Sequence, residues 1–438
     1  MSVPSLAVLL CASMLLNAFH SSVCVAQSDD GASPDETSLA TQVEQLVIRL
    51  DARSLNERQR AERELIQLGP AILKLLPREN DAPSAETRQR LRRIRTELEK
   101  VQSSTSIDAT PVTIKQATSV GDALKQITRQ TQVEFAGDFN PAAPIDVDVD
   151  RIPFWNALDE VLDLSALDVD PFGGVDRSLK LVPRQEGRPD RKLAAYSGVF
   201  RIEPINIVAR RDLRQSSLNG LELMIDIAWE PRLTPIGLTL PLKEFGAKLD
   251  TGKSLQLQES AETAEAMPRV GVSSTQTTIP FQLPEGRPFA IDTLSGRIDA
   301  LLPGPIKIFD FDLKQESFTT QDAGDVKVLV ESVTANGDLH EVRLNVKFGD
   351  ADRALESHRG WVFDNPAFII ATDDIEETSP PRIENLGYQM YRQSSEEIGI
   401  GYLFDLGGDP EKYVFRYQTP SSIIRSEVRF TLHDIPLP

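Results

Sequence analysis

The stretch LELMIDIAWE, residues 221–230, shows the β-strand pattern that is typical of most of this chain. Its apolar and its more polar positions alternate strictly, Leu221, Leu223, Ile225, Ile227 and Trp229 against Glu222, Met224, Asp226, Ala228 and Glu230. Successive side chains of a strand point to opposite faces, so this alternation predicts a half-buried antiparallel strand.

The same alternation recurs from about residue 193 to the C-terminus, in the segments 341–348, 413–417 and 428–432. Asn336-Gly337 separates two strand-like runs and predicts a tight hairpin. A single sandwich takes roughly 100 residues, so we expect two antiparallel β-sandwiches, at 193–315 and 322–438. Residues 258–276, rich in Ser, Thr, Glu and Ala, are expected to form a mobile loop in the first sandwich.

Residues 111–184 alternate between strand and helix periods and predict a small α+β module. The predicted order is strand, helix, strand, strand, helix, strand, strand. Ser119 is expected to cap the first helix, and Pro153 to open the second. The apolar positions expected to face inward are Val120, Ala123, Leu124 and Ile127 in the first helix, and Phe154, Ala157, Leu158, Val161 and Leu162 in the second.

Two stretches of this module, VGDALKQITRQTQVEF (120–135) and DRIPFWNALDEVLDL (150–164), carry a family resemblance. They resemble the two halves of the short N-terminal domain shared by secretins and TonB-dependent receptors. The resemblance rests on core positions. It implies an interaction module that works in the bacterial cell envelope.

Residues 39–102 predict a helical segment, with apolar residues at helical spacing in four successive stretches. The phrase ERQRAERELIQLGPAILKLL (57–76) resembles a HEAT-type repeat, in which a break separates two apolar helices. About one and a half repeats are present, whereas about three are usual for stability. We therefore expect this segment to lean on the rest of the chain or on a partner.

The last of these helices is basic, with Arg88, Arg90, Arg92, Arg93 and Arg95. One interpretation is an interaction patch for an anionic polymer or surface. The other is a solvated helix face, or a face docked onto the acidic remainder of the chain. Residues 39–102 carry a net charge of +3, whereas residues 103–438 carry −18.

The N-terminus has the pattern of a secretory signal peptide at 1–26. The apolar run 6–16 is shorter than the ~20 residues of a membrane span, and Cys24-Val25-Ala26 has small residues at the −3 and −1 positions. Cleavage after Ala26 would remove both cysteines and exclude thiol chemistry and disulfides. The acidic stretch 27–38 is expected to be a disordered linker.

The sequence contains no recognisable catalytic, cofactor-binding or metal-binding motif, so we expect no cofactor. His340, His358 and His433 match no ligand spacing, and His433 is expected to be exposed. Asp146, Asp148 and Asp150 imitate an EF-hand, but Arg151 and Ala157 stand where Gly and Glu are needed. The acidic loops 372–377 and 407–411 are read as solvated turns, with weak calcium binding left open. Trp155 and Trp229 are expected to pack in or beside cores.

These observations predict a multidomain α+β protein, exported to the periplasm or outside the cell. Its formal charge of −19 argues against a nucleic-acid partner. Three functions remain open: a non-catalytic binding or scaffold protein of the envelope whose partner is a protein or an envelope component, a docking component of an envelope transport or secretion assembly, and a carboxylate-dependent hydrolase. A cleft with two converging acids and an aromatic floor would favour the hydrolase.

Overall fold

The computed structural model has the predicted multidomain α+β fold, built mainly of antiparallel sheets. The residues described are 34–77, 82–105, 107–175, 177–187, 193–269, 271–314, 318–336, 339–349, 360–375 and 380–438. The predicted leader 1–26 and His358 lie outside these ranges. Within the predicted linker 27–38, the first helix begins at Pro34.

The described part of the helical segment contains three helices and one short 3-10 helix. They are α1 (Pro34–Arg49), α2 (Leu55–Gln67), the 3-10 helix Pro70–Lys74 and α3 (Ala85–Thr105). Their apolar faces form one core in which Leu50, Leu65, Leu91 and Leu98 are fully buried. Of the apolar residues at helical spacing, Leu75 and Val101 are exceptions that remain 40% and 43% exposed.

The α+β module has the predicted order of elements. They are β1 (Pro111–Ser119), α4 (Val120–Thr131), β2 (Glu134–Gly137), β3 (Pro144–Pro153), α5 (Phe154–Ser165), β4 (Leu167–Val169) and β5 (Ser178–Pro183). The strands form two small sheets, β1-β3 and β2-β5-β4. All nine helix residues predicted to face inward are buried, and the Ser119 side chain accepts a hydrogen bond from the Asp122 backbone, as a cap does.

The first β-sandwich packs two sheets around one core. The first sheet contains β6 (Ala195–Ser197), β7 (Phe200–Arg210), β8 (Gly220–Trp229) and β13 (Ser274–Phe281). The second contains β9 (Gly237–Pro241), β10 (Gly246–Leu249), β11 (Ser254–Leu255), β12 (Thr263–Ala266), β14 (Ala290–Pro303) and β24 (Ile423–Pro436). The quoted stretch is β8, at the middle of the first sheet.

The second β-sandwich also packs two sheets around a core. One contains β15 (Ile306–Asp312), β19 (Ala367–Ala371), β20 (Ile383–Glu384) and β23 (Tyr413–Pro420). The other contains β16 (Gln321–Ala323), β17 (Val326–Asn336), β18 (Leu339–Phe348), β21 (Gly387–Gln393) and β22 (Glu397–Phe404). A one-turn helix, α6 (Gly360–Phe363), adds Val362 to this core. The predicted hairpin is confirmed, because Asn336 pairs with Leu339.

The predicted boundaries of the two sandwiches, 193–315 and 322–438, need correction. β15 pairs with β23 and so belongs to the second sandwich. The last strand, β24, pairs with β14 along its whole length and contributes Val428, Phe430 and Leu432 to the first core. The second sandwich, 306–420, is therefore inserted between two adjacent strands of the first. Sequence alternation marks a strand but does not say which sheet it joins.

The loop predicted at 258–276 is also partly wrong. β12 pairs with β9 inside this range, and β13 begins at Ser274 and pairs with β8. Glu and Ala lowered the apparent strand propensity of this stretch, although in β12 they occupy sheet positions whose neighbours supply the packing.

The helical segment packs against the second sandwich. Such a contact was expected, because the segment has fewer repeats than a stable repeat domain needs. Glu99 of α3 is 4% exposed; it accepts hydrogen bonds from Lys307 Nζ at 2.8 Å and Ser421 Oγ at 2.9 Å. Arg92 adds an ion pair with Asp322 at 3.4 Å. Within the described ranges, no helix combines the length and apolarity that a membrane crossing requires.

Candidate functional site

The candidate site begins with the outer face of the sheet that contains β8. Its inner face, with Ile202, Leu223, Ile225 and Ile227, packs into the first core. Alternation would place the other face in water. Instead Asp226, Ala228 and Glu230 are 6%, 2% and 2% exposed, because the α+β module covers this face.

The module is attached to the sheet by polar contacts from α5. Trp155 Nε1 donates to the Val199 carbonyl at 3.0 Å. Asp159 accepts a hydrogen bond from Arg201 at 2.7 Å and another from the Tyr196 hydroxyl at 2.8 Å. The Arg201 guanidinium lies 4.4 Å from the centre of a Trp155 ring. The two units therefore share a buried ion pair and a cation–π contact.

A second carboxylate, Glu230, attaches the linker that precedes the module. It accepts hydrogen bonds from the Thr110 backbone N–H at 2.8 Å and from Arg232 Nε at 2.7 Å. Nearby, Ile107 accepts from Val199 N at 2.8 Å. Gly198 (φ 55°) permits this approach, since a Cβ there would lie 2.1 Å from the Ile107 carbonyl oxygen. Every oxygen of Glu230 thus has a structural partner.

Between the module and the sheet lies a cavity of about 200 Å³, which we call the interdomain cavity. Its polar wall is a row of side chains across three neighbouring strands. The strand register places Glu203 of β7, Asp226 of β8 and Gln276 of β13 side by side. The opposite wall comes from the module, with Trp155, Val169, Asp170, Pro171, Gly173 and Leu179.

Asp226 is the unusual group of this cavity. It is 6% exposed, and its Oδ1 has no hydrogen-bond partner among the described residues. Burial raises the pKa of this carboxyl to about 6. Glu203 adds to the rise, whereas Arg201 and hydrogen bonds from the Gln276 and Ser274 side chains oppose it. Asp226 is therefore an aspartate that changes its charge near neutral pH.

Arg201 is the only described cation that lines the cavity, and it faces three carboxylates. Burial lowers its pKa, but Asp159, Glu203 and Asp226 together raise it, so the guanidinium stays charged.

The five arginines of the predicted interaction patch point in several directions. Arg90 is 6% exposed and pairs with Glu62 and Glu86, and Arg93 also pairs with Glu62. Arg95 donates to the carbonyls of Leu76 and Pro77. Arg92 contacts Asp322 of the second sandwich, and Arg88 is exposed on the helix. The structure therefore uses at least four of them in intramolecular contacts.

The other residues considered in the sequence are dispersed. His433 is exposed as predicted, and His340 lies on β18 with Nδ1 buried. Asp146, Asp148 and Asp150 alternate along β3 with less exposed residues, as the strand interpretation requires. The acidic loop 372–377 begins with the 3-10 helix Thr372–Asp374, and its residues 376–377 lie outside the described ranges. The loop 407–411 leads into the 3-10 helix Pro410–Lys412. Trp155 and Trp229 are buried.

Sequence reasoning missed the members of the interdomain cavity. Asp226 was placed on the solvent face, and Ser274 and Gln276 lay in the stretch predicted as a loop. Ala228 was a signal in the sequence. It is a small apolar residue between the charged residues Asp226 and Glu230, on a strand face expected to be exposed to solvent, and such a residue is typical of a face covered by another domain. No family model matches this sequence, and no curated protein or solved structure matches the chain.

Proposed function

We propose that this chain is an exported, non-catalytic binding or scaffold protein of the bacterial cell envelope, and that the interdomain cavity holds its small ligand. The single observation that carries the proposal is Asp226. An ionised carboxylate with an unpartnered buried oxygen is unfavourable for stability. Groups of this kind persist where function requires them.

A carboxylate-dependent hydrolase is the second candidate, and one observation favours it. Glu203 and Asp226 share the cavity with the aromatic ring of Trp155. However, the Arg201 guanidinium occupies a position over that ring, where a sugar would stack. The cavity volume of about 200 Å³ is also below the ~300–1,000 Å³ of pockets that enclose larger ligands. Binding is therefore the better account.

The docking alternative rests on the resemblance of the module to secretin and TonB-receptor domains. In this chain the module already uses Trp155 and Asp159 of α5 to contact the first sandwich. A partner would have to use other faces of the module. We therefore rank docking in a transport assembly below ligand binding.

The test is a thermal-shift screen of the full chain with small cationic, anionic and neutral compounds. Ile205, which lines the cavity and is 39% exposed, offers a blocking variant, Ile205→Trp. Val208 lies on the same strand, is 49% exposed and does not line the cavity, so Val208→Trp is the matched control. A ligand of the cavity raises the melting temperature of wild type and V208W but not of I205W.

Two results would contradict this proposal. One is that no compound stabilises the wild type in an I205W-sensitive way. The other is that a compound is consumed, with turnover abolished by Glu203→Gln or Asp226→Asn, which would establish the hydrolase. Export is tested separately: the native protein recovered from envelope fractions is expected to begin at Gln27.

A further inference from the structure

A second concave site lies at the opposite end of β7 from the interdomain cavity. It forms where β7 ends at Arg210, beside the connection from β13 to β14 and the residues that follow β24. Its volume is about 400 Å³, within the ~300–1,000 Å³ of pockets that enclose small organic ligands. The two sites share no lining residue among those described. We call this second site the arginine pocket, and it lies outside the function proposed above.

Three exposed arginines line the pocket, and they are Arg210, Arg211 and Arg287. Among the residues that the structure describes, none forms a hydrogen bond or an ion pair with these side chains. None of the described lining residues carries a carboxylate side chain, and Glu285 of the same connection does not line the pocket. A guanidinium presents five N–H donors in a fork that matches a carboxylate. The lining therefore favours an anionic ligand.

The carboxylate nearest in sequence to these arginines is already engaged. Asp212 interacts electrostatically with Arg210. Its Oδ1, however, accepts the backbone N–H groups of Arg214 and Gln215 at 2.9 and 2.8 Å. A carboxylate at Pro438, which also lines the pocket, would match one of the three guanidinium charges. An anion entering the pocket therefore still finds guanidinium groups that it does not have to release from another partner.

The rest of the pocket is apolar. Leu221 at its floor is 1% exposed, and Leu283 and Leu437 are partly buried. At the rim, Phe289 is 82% exposed. Its backbone is nevertheless fixed, since its N–H donates to Asp250 Oδ2 at 3.0 Å and its carbonyl accepts the Leu437 N–H at 2.8 Å. A large uncovered aromatic side chain on a fixed backbone is suited to contact an apolar ligand.

We propose that the arginine pocket binds a free medium-chain alkyl carboxylate of about eight carbons. The carboxylate accepts hydrogen bonds from Arg210, Arg211 and Arg287, and the alkyl chain lies between Leu283 and Phe289. The volume of about 400 Å³ is the share of roughly 13 water molecules at ~30 Å³ each, which accommodates such a chain. A small inorganic anion would leave the apolar floor in water, and an alkylamine would be repelled by the guanidinium groups.

The experiment is isothermal titration of the full chain with octanoate. Acetate is the anion without an alkyl chain, and octylamine is the cation of equal length. At pH 7.5 we expect saturable binding of one octanoate. Acetate should bind at least about tenfold more weakly, because it lacks the apolar contacts. Octylamine, which is an ammonium ion at this pH, should not bind.

Two variants test the two halves of the pocket. Arg287→Gln should weaken octanoate binding about tenfold, as expected when one charge-assisted hydrogen bond is lost. Phe289→Ala should weaken it roughly fivefold through lost apolar contact. Both side chains are exposed, so both variants should fold, which circular dichroism checks. The matched control is Arg129→Gln, which removes an exposed arginine from α4 and should keep wild-type affinity.

Ile205→Trp, which blocks the interdomain cavity, should bind octanoate as tightly as wild type. The assignment is wrong if octanoate does not bind, or if R287Q and wild type bind it equally. It is also wrong if I205W loses octanoate binding, because the ligand would then occupy the interdomain cavity. Sedimentation with phosphatidylglycerol vesicles that R287Q abolishes, without binding of free octanoate, would assign this surface to an anionic membrane and overturn the proposal. None of these results removes the ligand site proposed for the interdomain cavity.

Discussion

Asp226 shows how a single residue can be understood only after its surroundings are known. In the sequence it is one polar position of an alternating strand. In the structure its face is covered, and burial raises its pKa to about 6. A strand face exposed to solvent and a strand face covered by another domain have the same alternating sequence pattern. The sequence alone therefore predicts the strand but not the pKa of Asp226.

The raised pKa makes a prediction about stability. The folded state holds this proton more tightly than the unfolded state, where the carboxyl has its ordinary pKa of 3.8. Ionising Asp226 therefore destabilises the fold as pH rises from about 4 to about 6. Asp226→Asn removes this effect and should stabilise the protein at pH 7.5 by up to ~3 kcal/mol, at 1.36 kcal/mol per pKa unit.

Urea denaturation of D226N and wild type at pH 7.5 and pH 4 measures this difference. The stabilisation should shrink towards zero at pH 4, where the wild-type carboxyl is already largely protonated. Asp299→Asn should have the opposite sign, since it weakens ion pairs with Arg297 and Arg425. A destabilised D226N at pH 7.5 would show that burial of Asp226 has been misjudged.

Arg201 supports a second prediction at the residue scale. Replacing it with methionine, which keeps much of the side-chain volume, leaves Asp159, Glu203 and Asp226 without their shared cation. We expect R201M to lose ~3–5 kcal/mol of stability, as when one partner of a buried ion pair is removed. Arg429→Met is the control: its side chain is 72% exposed and pairs with Glu427 at the surface, so the expected loss is below ~1 kcal/mol. Equal losses in chemical denaturation would contradict this.

At the scale of elements, sequence patterns predicted which helices and strands exist much better than where they pack. The order of the α+β module follows from its hydrophobic periods, caps and turn residues, all of which are local. A cap position alone does not fix the contacts: α2 begins directly after Ser54, yet the Ser54 side chain makes no cap hydrogen bond. The pairing of β24 with β14 joins residues far apart in the chain, and no local pattern encodes that choice.

In helix α3, one carboxylate makes most of the polar contacts to the sandwiches. Glu99 contacts Lys307 of the second sandwich and Ser421 in the connection from β23 to β24, whereas Glu97 of the same helix is exposed. Glu99→Ala leaves the fully buried Ser421 hydroxyl without this acceptor, and we expect a loss of ~1–3 kcal/mol. Hydrogen exchange should become faster in α3 and near Ser421. Glu97→Ala should change neither property, and equal effects of both variants would refute this assignment of Glu99.

At the scale of the whole molecule, the second sandwich is an insertion into the first. Pro303 and Ile423 are paired neighbours on β14 and β24, so the ends of the inserted unit lie one strand spacing apart. Short separations of this kind allow a domain to be inserted or removed without straining its host.

This arrangement predicts that residues 304–422 can be replaced by the two-residue turn Asn-Gly, which closes a β-hairpin. The shortened chain should keep the first sandwich with the α+β module attached, as seen by circular dichroism and cooperative urea unfolding. The helical segment should become protease-sensitive, because its contacts to Lys307 and Ser421 are gone. Deleting 423–438 instead should prevent folding of the first sandwich, since buried Val428, Phe430 and Leu432 are lost. A folded first sandwich in that second variant would contradict the insertion.

The late position of β24 also sets the timing of folding during biosynthesis. Residues 304–422 are translated between the paired ends of β14 and β24, which at ~5–20 residues per second takes on the order of ten seconds. Through that interval β14 presents an unpaired edge to the nascent chain and to its neighbours. The ribosome must therefore translate β24 before the first sandwich can close, and a chaperone or a secretion channel has that interval in which to act.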